Sequence, residues 1–324
     1  MNKKDGIRLD KVLAKRLNDL GFENTVINEV LKTIELNTLD NSSIDLLLEQ
    51  ALQNIAFDFE KLPTLCEGES KIIKKWTDKV LLMSFKPTVY SYTQNRYGLA
   101  EGTEKTRIKF SSALFRKMAA ENFTQDFKPQ SAFLAEINNE QGCFMVQQMV
   151  ETCNLEVRIK RYHIGSPLHR YYRTEDYSSL NSTGPIMKWS RFDKPVVCFD
   201  WRNPLMDADG KRLADEPISD DYAELWMENP SQAKEVARNT FIWMEELFAK
   251  AEILLVDMCL FIDKSGNCIY GEISPDCMRA RSGLEDPATT EPLAKDNWRL
   301  GESSATLLDK YEEMYERIFK GVKV

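Results

Sequence analysis

The chain has 324 residues, of which 43% are hydrophobic and 29% charged, a composition typical of a globular protein with one large or two smaller domains. Its net charge of -8 argues against a protein that coats nucleic acid, because neutralising a phosphate backbone requires a basic surface. A local basic cluster can still bind a small phosphorylated ligand, so we expect small-molecule partners and no nucleic acid.

The N-terminus predicts a cytoplasmic protein without a membrane partner. Charged residues interrupt the apolar positions of MNKKDGIRLDKVLAKRL, unlike a signal or transit peptide. No window of the sequence approaches the ~18 apolar residues of a membrane span. The seven cysteines are scattered and form no C-x-x-C pair, which predicts buried reduced thiols rather than a disulfide framework or a zinc site.

The first 60 residues predict a small helical module. Apolar residues recur at three- and four-residue spacing in three stretches: 7–22, 24–36 and 42–57. Ser42 and Ser43 offer a helix N-cap for the third stretch. The turn Leu20-Gly21-Phe22 and the later SIDLLLEQAL resemble the ubiquitin-associated type of three-helix domain. We therefore expect residues 1–60 to form a module with its own core that serves packing or dimerisation, so that a homo-oligomer is one expected assembly.

Strands and helices are interspersed in the rest of the chain. Strands are predicted at 66–76 and 78–87, joined by a tight turn, and further strands at 131–162. Helices are predicted at 104–121, 230–250 and 303–320, the second opened by Asn229-Pro230-Ser231. An apolar strand before that last helix runs into a DKSGN turn and a second strand, which predicts a hairpin. The pattern predicts an α+β chain of two lobes.

Two stretches combine turn residues with positive charge. In Glu67–Lys71, backbone N–H groups near Gly68 could face a phosphate while Lys71 reaches it, although an ordinary surface turn is the commoner occurrence of such a pattern. In RIKRYHIGSPLHR, residues 158–170, basic residues flank a Gly165–Ser166 break. Glycine permits close backbone approach, and guanidinium groups bind phosphate oxygens strongly, so this stretch suits a phosphate monoester.

Two later stretches carry mixed charge. GEISPDCMRAR, residues 271–281, follows the predicted hairpin and contains four polar residues of interest: Glu272, Ser274, Asp276 and Arg279. KDNWR, residues 295–299, reads by itself as a polar loop. Neither stretch is diagnostic alone.

Taken in order, the four stretches resemble the phosphoribosylaminoimidazole-succinocarboxamide synthase family, which are ATP-dependent ligases of purine biosynthesis. Members of that family show a G-K-x-K turn, an R-x-x-x-x-G-S-x-x-x-R loop, a D-F-K-x-E-F-G strand, D-E-x-S-P-D-x-x-R and then K-D-x-x-R. Here LVDM, GEISPDCMR and KDNWR occur in the same order. The resemblance covers roughly 62–320 and implies a two-lobed fold of antiparallel sheets with packed helices over 61–324, with an N-lobe at 61–150 and a C-lobe at 151–324.

The resemblance also implies chemistry. Such an enzyme uses ATP and Mg²⁺ to activate a carboxylate as an acyl phosphate, which the amine of an amino acid then attacks. The carboxylate is expected on a phosphoribosyl or other phosphorylated substrate. The implied catalytic residues are Lys71, Asp257 and Glu272. ATP would be held by Gly68, Lys71 and Asp257, and the metal by Glu272 and Asp263. The substrate phosphate would be bound by Lys160, Arg161, Gly165, Ser166, Arg170, Asp276 and Arg279. The incoming acid and amine would be bound by Lys295, Asp296 and Arg299.

The chain departs from the family where metal and nucleotide are expected. Glu69 replaces the leading lysine of the first turn, and Asn203 stands where the family has aspartate before proline. Cys259, Phe261 and Gly271 replace a lysine, a glutamate and an aspartate. Phenylalanine and glycine offer no side-chain oxygen to magnesium. A second interpretation is therefore a degenerate member that binds a nucleotide or phosphoribosyl compound and acts in regulation.

A second interpretation is also open for Asp263. This residue begins the DKSGN cluster, whose composition favours a hairpin turn over a metal site.

Overall fold

A computed structural model of the chain describes residues 3–34, 44–91, 96–121, 123, 129–180, 184–204, 206–211, 213–299 and 301–321. Its α-helices are α1 (Lys3–Asp19), α2 (Asn24–Thr33), α3 (Ile44–Asn54), α4 (Thr103–Ala120), α5 (Ser166–Arg170), α6 (Asp220–Ala223), α7 (Pro230–Ala249), α8 (Asp296–Arg299) and α9 (Ser304–Tyr315). Its strands are β1 (Thr64–Glu67), β2 (Lys71–Lys75), β3 (Val80–Phe85), β4 (Thr88–Ser91), β5 (Arg96–Leu99), β6 (Gln130–Ser131), β7 (Phe133–Asn139), β8 (Gly142–Gln148), β9 (Leu155–Tyr162), β10 (Arg191–Trp201), β11 (Glu216–Ile218), β12 (Ile253–Ile262), β13 (Cys268–Tyr270), β14 (Met278–Ser282) and β15 (Glu291–Pro292). Short helical turns occur at Phe59–Lys61, Thr174–Asp176, Pro275–Cys277 and Glu316–Lys320.

The chain divides into two compact units. Unit 1 comprises Met1–Lys86 and Ala132–Met149, and unit 2 comprises Pro87–Ser131 and Val150–Val324. Helices and antiparallel sheets occur in both units, which confirms the predicted α+β class. Among the described residues, no helix is long and apolar enough to cross a membrane.

Unit 1 is a five-stranded antiparallel sheet with three helices packed on it. The strand order is β1-β2-β3-β8-β7. Leu13 of α1 and Leu47 of α3 belong to one buried apolar cluster with Val80 of β3 and Phe144 of β8. Each helix buries one apolar stripe, and this sheet provides the surface that covers it.

The predicted independent helical module is therefore corrected by the structure. The helices share their core with the sheet, so a boundary at residue 60 cuts through one hydrophobic cluster. The expected lobe boundary at 150 also differs, because Pro87–Ser131 belongs to unit 2. The apolar stripes were correctly predicted, but a stripe does not specify which surface covers it. The Ser42–Ser43 cap lies outside the described residues.

Unit 2 is built on an eight-stranded sheet. The main strand order is β11-β10-β9-β12-β13-β6, and β14 pairs with both β12 and β15. Helix α7 packs against β9, β10 and β12. It begins at Pro230, where the Asn229 side chain accepts a hydrogen bond from the Gln232 N–H at 3.0 Å, as the sequence predicts. The predicted hairpin is formed by β12 and β13.

The two faces of this sheet differ in chemistry. Successive side chains of a strand point to opposite faces. On β9, Arg161 bonds Glu245 of α7, which identifies the α7 face. Lys160 and its β12 partner Asp257 therefore lie on the opposite face. We call the set Arg158, Lys160, Asp200, Asp257 and Arg279, contributed by four neighbouring strands, the charged face.

Candidate active site

Asp257 connects the central strands of the charged face. Its Oδ2 accepts hydrogen bonds from Lys160 Nζ and from Arg279 Nη1, each at 2.6 Å. Burial by itself would raise the pKa of Asp257, but Arg279 and Lys160 outweigh burial and bring the pKa down to about 2. Burial is also the main reason that the pKa of Lys160 is lowered, an effect that Asp257 opposes. Because one carboxylate oxygen accepts from both cations, we take all three groups as ionised.

The predicted phosphate loop lies against Arg279. Gly165 has φ of +75°, and a Cβ added to it would lie 2.8 Å from both Nη atoms of Arg279. Only glycine gives this backbone so close an approach to the guanidinium. Ser166, the next residue, begins α5, and its Oγ accepts a hydrogen bond from Arg158 Nη1 at 2.7 Å.

Asp200 links Arg158 of the charged face to Arg170 of α5. Arg158 Nη2 donates to Asp200 Oδ1, and Arg170 Nη1 lies 3.5 Å from Asp200 Oδ2. Arg170 also donates to the backbone oxygen of Asp215. The loop and the charged face therefore form one connected set that includes five of the predicted phosphate-binding residues: Lys160, Gly165, Ser166, Arg170 and Arg279.

Arg161 does not join this set. Its Nε donates to Glu245 Oε1 at 2.7 Å, and its Nη1 donates to the backbone oxygens of Phe192 and Asp193. It is buried on the α7 face. Strand alternation is the physical reason, since a residue next to Lys160 must point the other way.

The turn after β13 is held by a buried ion pair. Arg107 of α4 donates to both carboxylate oxygens of Glu272, at 2.7 and 2.9 Å, and the two side chains are 1% and 2% exposed. The Ser274 hydroxyl donates to the same carboxylate. These contacts engage both oxygens of Glu272, so its predicted roles as a metal ligand and a catalytic residue are not supported by the geometry.

Asp263 is a turn residue rather than an open ligand. Its Oδ1 accepts hydrogen bonds from the N–H groups of Asn267 and Cys268 at 3.0 and 2.9 Å, and both of its oxygens contact the Ser265 hydroxyl. This is the hairpin-turn alternative predicted from DKSGN. The metal role predicted for Asp263 is corrected accordingly, because capping the hairpin already occupies its oxygens.

The residues present do not fit a magnesium ion. The ring of Phe261 lies 5.6 Å from that of Tyr270, and a Cβ added to Gly271 would lie 3.3 Å from Phe261. An aromatic contact therefore fills the position where the family has a carboxylate. Among the residues that the structure describes, no group of three or more His, Cys, Asp or Glu is placed to hold a metal ion.

Asp276 and Asp296 extend the network beyond the charged face. Lys295 Nζ lies 3.1 Å from Asp276 Oδ2, and the Tyr311 hydroxyl donates to Asp276 Oδ1 at 3.1 Å. Asp296 is 3.3 Å from Arg279 Nε. It also pairs with two further arginines, Arg281 and Arg299. Of the residues predicted to bind the incoming acid, Lys295 and Arg299 are thus already paired with carboxylates, and Asp296 is paired with arginines that include Arg279.

The whole network is more basic than acidic. Its basic side chains are Arg107, Arg158, Lys160, Arg170, Arg279, Arg281, Lys295 and Arg299. Its acidic partners are Asp200, Asp257, Glu272, Asp276 and Asp296. A bound anion would balance the excess positive charge of this network.

Gly68 and Lys71 belong to unit 1, in the turn between β1 and β2. The Gly68 N–H donates to the Lys71 backbone oxygen at 2.9 Å. Lys71 Nζ lies 5.0 Å from the ring centroid of Phe85. The turn itself was predicted correctly, but the Gly68 N–H is used to close it and is not directed at a phosphate.

Sequence reasoning missed Arg107, Asp200 and Arg281. Arg107 lies 165 positions from Glu272, and no local motif connects the two. One signal was present: Arg107 falls on the apolar stripe of α4, between Thr103 and Phe110, where a charged residue requires a buried partner. Asp200 had no equivalent signal, because strand pairing alone brings it beside β9.

Comparison with known proteins gives one family. A family model described as SAICAR synthetase matches residues 64–318. Phosphoribosylaminoimidazole-succinocarboxamide synthase of Thermococcus kodakarensis is 26% identical over 258 residues, which cover 78% of this chain and 95% of the relative. The bifunctional cordycepin biosynthesis cluster protein 3 of Cordyceps militaris is 23% identical over 296 residues, and the match spans 78% of this chain but only 32% of that protein.

Solved structures agree on the fold. A SAICAR synthetase (Type-2) in complex with ADP superposes with a TM-score of 0.60 at 24% identity, covering 80% of this chain and 98% of the other. SAICAR-synthase from Saccharomyces cerevisiae complexed with SAICAR gives a TM-score of 0.61 at 16% identity. At these identities the likeness establishes architecture, not substrate.

Proposed function

The chain belongs to the SAICAR synthetase family, and from that premise we propose that it is an ATP-dependent ligase that joins a carboxylate to an amino acid amine. The carboxylate is proposed to be on a phosphoribosyl or other phosphorylated compound. Family members of this type couple a carboxylate with the amine of aspartate, and a relative has been observed with ADP. The substitutions at Cys259, Phe261 and Gly271 favour an acid or amine that differs from the purine-pathway pair.

The observation that carries the proposal is the phosphate loop against Arg279. Gly165 keeps a side chain out of the space beside this guanidinium, and Ser166 places a hydroxyl next to Arg158. Guanidinium groups, a hydroxyl and a glycine-opened backbone together suit the oxygens of a phosphate monoester. The basic excess of the network favours an anionic ligand at the same place.

The proposed chemistry proceeds in two steps. A carboxylate oxygen of the substrate attacks the γ-phosphorus of ATP, which forms an acyl phosphate and releases ADP. The amine of the second substrate then attacks the acyl carbon, so that phosphate leaves, an amide forms and the amine loses a proton. The protein would fix the phosphorylated substrate through Arg279, Ser166 and Arg170, and position the second acid through Lys295 and Arg299. Of the residues implied for the nucleotide, Asp257 is already paired with Lys160 and Arg279, and Lys71 is proposed to contact the nucleotide phosphates.

Magnesium is proposed only as part of the nucleotide that enters. Arg107 donates to the Glu272 carboxylate, and the Asp263 carboxylate accepts hydrogen bonds within its own hairpin turn, so neither residue would hold the ion.

A second candidate function is a binding protein that performs no ligation. Two observations favour a binding protein. The Glu272 carboxylate is paired with Arg107, and Phe261 and Gly271 occupy positions where the family has carboxylates. Such a protein would bind the same phosphorylated compound and, through unit 1, a partner or a second copy of the chain. Both candidate functions use the same phosphate site, but only the ligase would convert ATP to ADP.

The first test concerns the phosphate site. Calorimetric titration with ribose 5-phosphate should show binding that is at least tenfold weaker in Arg279→Met, a loss of ~1.4 kcal/mol. Arg173→Met is the matched control, because Arg173 is an exposed arginine paired with Asp176 outside the network. Equal affinities in the two variants would refute the site. A crystal grown with sulfate should also show the anion near Ser166, Arg170 and Arg279.

The second test separates the two candidate functions. Purified protein is incubated with ATP, magnesium, a phosphorylated carboxylate and each amino acid in turn, and ADP is measured. ADP that forms only when both acid and amine are present supports a ligase. Ligand binding with no ADP release above the rate of Arg279→Met supports the binding protein instead.

A further inference from the structure

Two cysteines of the site face each other across adjacent backbone segments. The β12–β14 pairing ends with Met258 opposite Met278, and Cys277, the last residue of the Pro275–Cys277 turn, directly precedes β14. The Cys259 thiol donates to the Cys277 backbone oxygen at 3.4 Å. The Cys277 side chain also interacts with the Cys259 thiol, so the two thiols are neighbours.

Both thiols are on the side of the sheet that carries the charged face, and neither is fully buried. Cys259 is two residues from Asp257, so it shares that face by strand alternation. Cys277 follows Asp276, and its thiol is 3.7 Å from the backbone oxygen of Glu272. The sequence predicted buried thiols, whereas both residues have intermediate exposure.

We propose that Cys259 and Cys277 are a thiol modification site that forms a reversible intramolecular disulfide. The oxidant is a low-molecular-weight disulfide, RSSR. One cysteine thiolate attacks RSSR, which breaks its S–S bond, forms a mixed disulfide and releases one RSH after protonation. The second thiolate attacks the protein sulfur of the mixed disulfide and displaces the second RSH. Two protein thiols are oxidised, and one RSSR is reduced to two RSH.

The geometry requires little movement. Directly opposed Cβ atoms of an antiparallel pair are about 4.5 to 5.5 Å apart, and a disulfide needs about 3.5 to 4.5 Å. A small approach of the Pro275–Cys277 turn toward β12 would close that difference. The bond would enclose residues 260–276, including the hairpin and the turn that carries Glu272 and Asp276, and would fix that turn to β12.

The other site-face cysteine is a poor partner. Cys198 is on β10 and opposes Arg158 of β9, which places it two strands away from β12. Two strand spacings are about 9.5 Å, which exceeds the ~7 Å Cα limit for a disulfide. Cys66 is exposed but lies in unit 1.

The reaction is expected to need an added oxidant. The hydrogen bond with Cys277, followed by burial, raises the pKa of Cys259 well above that of a free thiol. Thiolate is the reacting form, so the pair stays reduced in the absence of such a reagent.

Peptide mapping of the full chain tests the proposal without any activity measurement. After treatment with oxidised glutathione and alkylation without reduction, mass spectrometry should show the Cys259 and Cys277 peptides joined, and dithiothreitol should restore both thiols. Cys66→Ser should give the same link. Cys259→Ser should lose the link and retain glutathione on Cys277. The proposal is overturned if oxidised native protein still alkylates at both Cys259 and Cys277, or if either is joined to another cysteine.

Discussion

Removing one member of the Arg107–Glu272 pair should cost far more stability than removing a surface pair. Arg107 meets Glu272 through two hydrogen bonds of 2.7 and 2.9 Å, and the side chains are 1% and 2% exposed. In Arg107→Met, the Glu272 carboxylate would remain buried and would lose the charged side chain that donates to both of its oxygens. Loss of one partner of a buried pair typically costs about 3 to 5 kcal/mol. The exposed Arg173–Asp176 pair should cost no more than about 1 kcal/mol.

Urea unfolding followed by circular dichroism measures both effects. The double variant Arg107→Met with Glu272→Met removes both charges, so we expect it to recover most of the loss, because apolar replacement of a buried pair is often neutral or stabilising. Arg173→Met is the control for a lost arginine. The reasoning is refuted if Arg107→Met lowers the free energy of unfolding by less than about 1 kcal/mol, or if the double variant is no more stable than Arg107→Met. Glu272 would then be available as a ligand-binding residue.

Three further predictions follow from the site and from unit 1. Gly165→Ala should weaken ribose 5-phosphate binding at least tenfold in calorimetry, because its Cβ would displace the Arg279 guanidinium; an unchanged affinity would place the ligand elsewhere. The lowered pKa of Asp257 contributes up to about 2 kcal/mol to the free energy of unfolding above pH ~4, and this contribution is lost as the pH falls towards about 2. Between pH 5 and pH 3, the urea midpoint should therefore drop more for the wild type than for Asp257→Asn. Deleting residues 1–60 should uncover the apolar face of the unit 1 sheet, so light scattering should show aggregation. Any soluble fraction should bind ribose 5-phosphate with an affinity within about tenfold of that of the full chain. A soluble, monodisperse truncated protein that does not bind the ligand would show that residues 1–60 serve the site.

Much of the fold was predictable because it depends on local patterns. The nearly continuous apolar run of β12, the DKSGN turn and the Asn229–Pro230 start of α7 each specify their own conformation. The core of unit 1 was not predictable in the same way. Leu47 and Val80 are in one cluster because α3 packs on the sheet, and no short-range pattern states that relation.

In the candidate site, too, the residues that belong to contiguous motifs were predictable, whereas contacts between distant parts of the sequence were not. Gly165, Ser166 and Arg279 were identified because the motifs that carry them are contiguous. Glu272 was assigned to a metal because its partner, Arg107, is far away in sequence and belongs to a helix that otherwise reads as core. Arg161 was misassigned because charge was counted without regard to strand alternation, a correction available from the sequence itself.

The discontinuity of unit 1 has a consequence during synthesis on the ribosome. Glu136 of β7 donates its backbone N–H to Glu49 of α3 at 3.1 Å, and Gln53 donates to the Glu136 backbone oxygen at 2.9 Å. Translation proceeds at about 5 to 20 residues per second, so β7 emerges on the order of 10 s after α3. During that interval the apolar stripes of the nascent helices lack two strands of the sheet that covers them. Ribosome-bound chains that end before residue 132 should therefore crosslink to chaperones for apolar nascent segments more strongly than chains extended well past residue 149.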